Sequence, residues 1–205
     1  AQMASGTDGN IITYDTSGNP AVVATGSDGQ VLTSAGADAV PAFEAAASSG
    51  RILQIVQEGG NTYTDASITN NTWTDTVVTA AITPASTSNK IFVSYRLAVH
   101  FTDSTGNAGY SLRCKRAISG GATTDNVGAG LATWGTGNCH TIFFMTTNTG
   151  NDANMMSTVN GVDTPSADTE VTYTVGVAGY NINGTIQAGG MYSGNWSVTL
   201  MEIEG

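Results

Sequence analysis

Charged side chains are scarce in this 205-residue sequence, since only 11% of its residues are Asp, Glu, Lys or Arg. An ordinary globular protein carries roughly 25%. Disordered chains are usually rich in charge, so this scarcity argues against simple disorder. Helix-forming residues are few as well, and no long stretch shows a 3.6-residue apolar period. The sequence therefore predicts an all-β protein whose surface is made hydrophilic by uncharged polar residues such as Thr, Ser and Asn, together with Gly.

Basic residues are the rarest charged group. Six Lys and Arg stand against sixteen Asp and Glu, which gives a net charge of −10. A nucleic-acid groove needs cations that replace counterions, so nucleic acid is not an expected partner. No apolar run reaches the ~18 residues of a membrane-spanning helix, and no signal peptide opens the chain. Membrane insertion is therefore not expected. The first residue is Ala1 rather than Met, which predicts a trimmed chain or a fragment.

Cysteine and histidine are too few for most site chemistry. Cys114 and Cys139 cannot form a disulfide scaffold, and we expect two buried thiols. A bridge between neighbouring strands stays open, provided that the two Cα atoms lie within ~7 Å. His100 and His140 form neither a Cys-x-x-Cys nor a His-x-x-x-His pattern with other residues. We therefore predict no metal and no cofactor.

The sequence gives equally little support for a catalytic site. Cys139 and His140 are adjacent, but consecutive strand residues point to opposite faces and cannot easily share a proton. A glycosidase needs two carboxylates at a set separation, whereas most acids here stand beside Gly, Thr or Asn in predicted turns. We predict no catalytic residues and no enzyme activity.

An internal repeat opens the chain. The segment Gly6–Thr13 recurs twenty residues later as Gly26–Thr33, with the same Asp-Gly step before an apolar pair and a threonine. Asp-Gly supplies the positive φ of a tight turn, and the Ile, Val and Leu residues that follow favour a strand. Each unit is thus predicted to be a turn, a short strand and a turn.

One such unit cannot bury its own apolar face, and short repeats normally need neighbours. Because only two units are present, we expect the covering surface to come from other copies of the chain. A homo-oligomeric shaft with Ile11, Ile12, Val31 and Leu32 near its axis is the simplest solution. A flexible Gly/Ser/Ala linker is the alternative.

The composition and the hydrophobic pattern of the sequence change near Ala45–Gly50. We therefore divide the chain into a shaft and linker, residues 1–50, and a C-terminal all-β head, residues 51–205. Runs of period two, separated by Gly-, Asn- and Asp-rich turns, predict at least seven strands in the head. Such a series is typical of a β-sandwich or jelly roll. The predicted strands are Ile52–Gln57, Trp73–Ile82, Asn89–Phe101, Tyr110–Lys115, Cys139–Thr146, Val171–Val177 and Trp196–Ile203.

Aromatic and polar residues in one glycine-rich loop are the candidate binding site. Trp134 lies in a segment that runs from Asn126 to Asn138 and contains four glycines after Val127. A large aromatic ring in a flexible polar loop is suited to stacking on a sugar, with the two asparagines reading its hydroxyl groups. The alternative is that Trp134 caps the head core or a subunit interface.

Three cations cluster at Arg113, Lys115 and Arg116. The simpler interpretation is a solvated strand face or a set of bridges to acids of a neighbouring subunit. A site for an acidic surface glycan is the less favoured one.

The order of several motifs resembles bacteriophage tail fibres, especially those of marine phages. The unit Gly26–Ser34 is similar to a repeat common in their shafts. The C-terminal segment Ser197–Ile203 is similar to the end of the head domain attached to such fibres. Two further markers lie between them, Ala81–Val93 and Asp163–Val175. The resemblance implies a trimeric virion protein, assembled in the bacterial cytoplasm and exposed on the particle, whose upstream part binds other virion proteins. It supplies no catalytic residues.

Three functions follow from this pattern. The favoured one is a fibre whose head binds a host-surface glycan or protein. The second is a capsid-attached or decorating fibre whose head only trimerises and caps the stalk. A glycan-degrading depolymerase is the least favoured, and the sequence does not separate tail from capsid attachment.

Overall fold

The computed structural model describes residues 6–46, 50–66, 72–103, 108–125, 127, 132–134, 137–139, 141–144, 151–182, 185–190 and 195–205. Every regular element in these ranges is a β-strand, which confirms the predicted fold class. The chain divides into two compact units, Ala1–Ser48 and Ser49–Gly205, here called the shaft and the head.

The shaft consists of two antiparallel hairpins, one for each sequence repeat. Gly9 and Gly29, the glycines of the two Asp-Gly steps, both have φ of 81°, as the turn prediction requires. The sequence predicted one strand per repeat and missed the second strand of each hairpin. The shaft strands are β1 (Ile11–Tyr14), β2 (Pro20–Val23), β3 (Gln30–Thr33) and β4 (Ala42–Ala45).

The first hairpin has one covered and one open face. Ile11 lies opposite Val23, which is buried. On the other face Ile12 lies opposite Val22, and these side chains are 54% and 57% exposed. Strand β2 therefore provides backbone hydrogen-bond partners for β1 but leaves this apolar face uncovered.

The second hairpin is closed by a single aromatic ring. Leu32 lies opposite Phe43, and a Cβ added at Gly26 would come within 2.6 Å of the Phe43 ring. Glycine at this position thus allows the ring to lie directly on the backbone. Val31 and Leu32 are each still 45% exposed.

The head contains the other thirteen strands of the described chain. They are β5 (Ile52–Gly60), β6 (Tyr63–Ala66), β7 (Thr74–Ile82), β8 (Lys90–Asp103), β9 (Gly109–Ile118), β10 (Thr123–Thr124), β11 (Ala132–Trp134), β12 (Gly137–Cys139), β13 (Thr141–Phe144), β14 (Asn151–Asp163), β15 (Val171–Tyr180), β16 (Ile186–Gly189) and β17 (Trp196–Ile203).

Eight principal strands form two sheets. Sheet A has the order β5-β17-β8-β14, and sheet B has the order β7-β15-β9-β13. Sheet A thus contains the first, eighth, third and sixth principal strands, and sheet B the second, seventh, fourth and fifth. This is the strand order of a jelly roll, which confirms the predicted architecture. The long strand β8 also pairs with β16, and β6 extends sheet A beyond β16.

The core lies between the two sheets. Alternate residues of β8, including Ile91, Leu97 and Phe101, are fully buried against residues of sheet B. The ring of Phe101 meets the ring of Tyr110 on β9 edge to face, with centroids 6.1 Å apart. The Tyr110 hydroxyl lies 2.8 Å from Ser157 Oγ on β14, so a hydrogen bond also joins the sheets.

The fifth and sixth principal strands differ from the prediction. A single strand was predicted over Cys139–Thr146, whereas β12 and β13 are separate strands. The thirteen-residue β14 was not predicted at all. Its inward positions are Met155, Ser157, Val159 and Gly161, so apolar residues do not alternate regularly enough along it to predict a strand.

Cys114 is a free, buried thiol, so no bridge joins it to Cys139. Its burial beside the Asp163 carboxylate raises the pKa of the thiol to about 12. The side chain of Cys139 lies outside the described residues.

Candidate binding and association surfaces

The predicted binding loop falls largely outside the described residues. Asn126 is not described, and Trp134 and Asn138 are described only in backbone. Their strands, β11 and β12, pair antiparallel, with Trp134 opposite Gly137 and Thr133 opposite Asn138. A binding role for these residues therefore stays a prediction.

The basic cluster of sheet B is neutralised by acids of the same chain. Arg113 pairs with Asp125 at 3.2 Å and stacks on the ring of Trp73, with its guanidinium carbon 4.7 Å from the centroid. Lys115 pairs with Asp75 on the edge strand β7, across the intervening strand β15. These contacts give Arg113 and Lys115 acidic partners within the same chain.

The third member of the cluster, Arg116, pairs with Asp163 and ties sheet B to the end of β14 in sheet A. Its Nη1 donates to both oxygens of Asp163, at 2.8 and 2.9 Å, and Tyr173 donates its hydroxyl to the same carboxylate at 2.8 Å. Burial and the Asp163 charge raise the pKa of Tyr173. This network is structural, because its carboxylate is buried and already has its partners.

Among the described residues, Lys90 and Arg96 lack the acidic partner that the other four basic side chains have. Arg51 pairs with Glu204 at 2.7 Å, so four of the six Lys and Arg residues have an acidic partner in the same chain. Within the described ranges, Lys90 and Arg96 have no acid within ion-pair distance, and both side chains are exposed. Both occupy outward positions of β8, so the unpaired positive charge lies on the outer face of sheet A.

A shallow depression of about 440 Å³ opens at one corner of sheet A. It lies where the end of β5 meets the start of β17, with Trp196 opposite Gly60 and Ser197 opposite Gly59. No charged side chain is among its described lining residues, which are Gly59, Gly60, Asn61, Asn195, Trp196 and Ser197.

Trp196 packs into the core at this corner and is 8% exposed. Within the described part of the chain, its indole nitrogen is a buried donor without an acceptor. A Cβ at Gly60 would come within 3.2 Å of that nitrogen, and a Cβ at Gly59 within 2.9 Å of the Trp196 carbonyl oxygen. A side chain at Gly59 would therefore displace the backbone of β17, and one at Gly60 would crowd the Trp196 ring. The absence of side chains at both positions leaves the depression open.

An apolar row crosses the outer face of sheet A near its other end. Ile55 lies opposite Met201, Met201 opposite Phe92, and Phe92 opposite Val162. Neighbouring strands are about 4.8 Å apart, so the row spans about 14 Å. Ile55 and Val162 are 58% and 46% exposed, and Met201 and Phe92 are half-buried. We call these four residues the apolar row.

The apolar row lies at the end of the head where the chain enters. Ile52, 56% exposed, lies opposite Ile203 in the next outward position. The first residues of the head are fixed there by the C-terminal segment, because Gly50 donates its N–H to Glu204 O, and Glu204 donates its own N–H to Arg51 O. Much of the exposed apolar surface of sheet A thus lies at the end of the head that begins at residue 50.

The described residues contain neither a cluster of metal ligands nor a membrane-spanning helix. Among them, no three His, Cys, Asp or Glu side chains converge in a way that could hold a metal ion. Nor does the described part contain a helix long and apolar enough to span a bilayer.

Comparisons with known proteins give a weak likeness only. No family model and no curated protein matches the sequence. Among solved structures, the VP2 subviral particle of infectious bursal disease virus aligns at 11% identity and a TM-score of 0.33, over 91% of this chain and 46% of that chain. The structure of the Gx strain of that virus aligns at 13% identity and a TM-score of 0.32, over 89% and 44%. The chain thus spans less than half of each of these virus chains, and a likeness at this level assigns no role.

Proposed function

We propose that the protein is a non-catalytic virion fibre component that forms a homotrimer through its shaft and the apolar row, and whose head contacts the host cell surface. The observation that carries the proposal is the apolar surface left exposed in both units. Ile12 and Val22 are more than half exposed in the shaft, and so are Ile52 and Ile55 in the head.

The shaft hairpins supply the first argument for association. A lone two-stranded hairpin is at best marginally stable in water, because it buries too little apolar surface to offset the ordering of its backbone. Each hairpin here keeps an apolar face exposed. Packing Ile12 or Leu32 against equivalent residues of other copies would contribute up to about 1.5–3 kcal/mol for each fully buried side chain. Of the predicted axis residues, Ile12, Val31 and Leu32 are exposed and carry the proposal, whereas Ile11 lies on the covered face of its hairpin.

The head supplies the second argument. Soluble monomers rarely expose contiguous apolar patches, and such patches usually mark association sites. The apolar row has three exposed or half-exposed neighbours in Ile52, Leu53 and Ile203. Because it lies where the chain enters the head, copies held together by their shafts would bring their apolar rows close to one another. The number of copies, three, rests on the resemblance to phage fibres.

The jelly roll is compatible with this role. Eight-stranded jelly rolls recur in viral capsid and lectin domains, where rigid sheets carry binding surfaces. The motif order in the sequence favours a fibre among such proteins. The end of the head away from residue 50 would then face outward and be free to meet a cell.

The test uses the whole chain, fluorescently labelled, incubated with a panel of bacterial cells. We expect a trimer that is retained on at least one strain and is released when the cells are stripped of surface polysaccharide or protein. A trimer that no strain retains would favour the structural fibre that only caps its stalk. Release of reducing ends from host polysaccharide would contradict the non-catalytic role, and a monomer would contradict the assembly.

A further inference from the structure

We propose that Arg96 and the depression beside it form a binding site for an acidic saccharide, a sugar that carries a carboxylate. The proposal deepens the proposed function and rests on it for the biological role. The site consists of Arg96 together with the depression lined by Asn61, Asn195 and Ser197 and floored by Gly59 and Gly60.

The register brings Arg96 to the depression. Arg96 lies directly opposite Ser197 on β17, and Ser197 in turn lies opposite Gly59 on β5. Directly opposed residues have Cβ atoms about 4.5–5.5 Å apart, a distance shorter than an extended arginine side chain. The guanidinium can therefore extend over Ser197 to the rim of the depression.

Among the described residues, Arg96 is exposed and has no acidic partner. Its cross-strand neighbours are Ser197 and Thr158, and its outward neighbours along β8 are Ser94 and Ala98, all of them short. None of these side chains carries a negative charge. In a chain of net charge −10, a cation without an acidic partner is the exception, since four of six have one.

The chemistry of the lining fits a sugar. Asn61 and Asn195 each offer one acceptor and two donors, and Ser197 offers a hydroxyl, which together can read the ring hydroxyls of a saccharide. Guanidinium forms bidentate, charge-assisted hydrogen bonds with a carboxylate. Because the described lining of the depression contains no acidic side chain, a carboxylated sugar is favoured over a cationic one. A volume of about 440 Å³ lies within the range of small-ligand sites.

The site stays open in the proposed trimer. Gly59 lies four residues along β5 from Ile55, which corresponds to about 13 Å at 3.3 Å per residue. The depression is therefore separated from the apolar row and lies toward the end of the head opposite residue 50. The two surfaces can be occupied at the same time.

The experiment is calorimetric titration of the whole chain with three acidic probes and their neutral counterparts. The pairs are trigalacturonate with galactotriose, trimannuronate with mannotriose, and sialyllactose with lactose. We expect at least one acidic probe to bind at least tenfold more tightly than its neutral partner. We also expect Arg96→Gln to lose at least tenfold in affinity, with partial rescue in Arg96→Lys.

Lys90→Gln is the matched control, because Lys90 is the other unpaired cation on the same face of β8 and lies six residues from Arg96. It should bind like the wild type. Equal loss in both variants would indicate diffuse attraction and would overturn the site, and so would the absence of binding to all three acidic probes or equal binding of acidic and neutral sugars.

Failure of this site and failure of the proposed function are distinguishable with the same preparations. If the wild type is a trimer retained on cells and Arg96→Gln is retained equally, the acidic-saccharide site is wrong and the fibre role stands. If the wild type binds an acidic probe through Arg96 but is a monomer that no cell retains, the site stands and the fibre role is wrong.

Discussion

Arg116 on β9 donates hydrogen bonds from one nitrogen to both oxygens of Asp163 at the end of β14, at 2.8 and 2.9 Å. The pair joins the two sheets, and both side chains are largely buried, with 14% and 9% of their surface exposed. Removing one partner of a buried pair leaves the other charge uncompensated.

We therefore predict that Asp163→Ala lowers the free energy of unfolding by about 3–5 kcal/mol. The matched control is Asp75→Ala, which removes the partner of Lys115 on the same sheet but at a site 43% exposed. An exposed pair contributes below about 1 kcal/mol. Urea unfolding of both variants measures the difference, and equal losses would contradict the structural role of Asp163.

Glu202 makes stability depend on pH in the acid range. Its carboxylate is fully buried and accepts hydrogen bonds from Asn89 Nδ2 and Gln54 Nε2 at 2.6 Å and from the Ala85 N–H at 2.7 Å. Burial alone would raise the pKa of Glu202, but these three donors outweigh it, and the pKa is lowered in the folded state. The stabilisation from the ionised form is therefore present above the unfolded-state pKa of about 4.3 and is lost as pH falls through the lower folded value.

Glu202→Gln tests this dependence. At pH 7 we expect it to cost about 2–4 kcal/mol, because it replaces an ionised acceptor of three hydrogen bonds with a neutral amide. The difference in melting temperature between wild type and variant should be largest near neutral pH and should narrow as pH falls below about 4. A difference that is constant from pH 7 to pH 3 would show that the pKa of Glu202 is the same in the folded and the unfolded protein, which would contradict the lowered value.

Cys114 should resist thiol reagents in the native state. Its pKa is raised to about 12 by burial and by Asp163, so almost no thiolate is present at pH 8. In a Cys139→Ser background, which leaves one thiol, we predict labelling by iodoacetamide at least a hundredfold slower in the folded than in the urea-unfolded protein. Rapid native labelling would mean that the core around β9 opens readily.

The fold was predictable where the period of two was strong. In β17, predicted as Trp196–Ile203 and observed with those bounds, buried and half-buried residues alternate throughout. The Asp-Gly turns were predictable for a different reason, since Gly9 and Gly29 adopt the positive φ that the dipeptide favours. Strand β14 was missed because its inward side is half-buried and includes Ser157 and Gly161.

The candidate sites were harder to predict, because they depend on which strands lie side by side. The sequence predicted a solvated face or bridges to a neighbouring subunit for Arg113 and Lys115, whereas their partners Asp125 and Asp75 come from other segments of the same chain. Arg96 looked like any solvated residue on the polar side of β8. Its place beside the depression follows from pairing with β17, a hundred residues away in the chain, which no local pattern reveals.

A similar limit applies to the outward positions of β8. Ala98 and His100 share the outward side with Arg96, yet both are buried. Alternation identifies the side of the sheet to which a residue belongs, but not whether another segment covers that side. The apolar row could not be predicted for the same reason, because its four residues come from four strands that are separate in the sequence.

The apolar row should contribute to association of the heads. We predict that Ile55→Asp, which places a charge at a 58% exposed apolar position, weakens the trimer at least tenfold without lowering the melting temperature of the head. Gln57→Asp is the control, because Gln57 is the next outward residue of β5 and lies opposite Thr199 in a polar row. Equal effects of the two variants would contradict a specific role for Ile55.

The mass of the whole chain in solution, measured by sedimentation equilibrium at micromolar concentration, tests the account most directly. A homotrimer of the 20.9-kDa chain has three times that mass, about 63 kDa. We predict that mass for the wild type and a shift toward monomer in Leu32→Asp, which charges the shaft face. A stable wild-type monomer of 20.9 kDa would contradict the account, because the exposed apolar faces of the shaft and head would then have no covering partner.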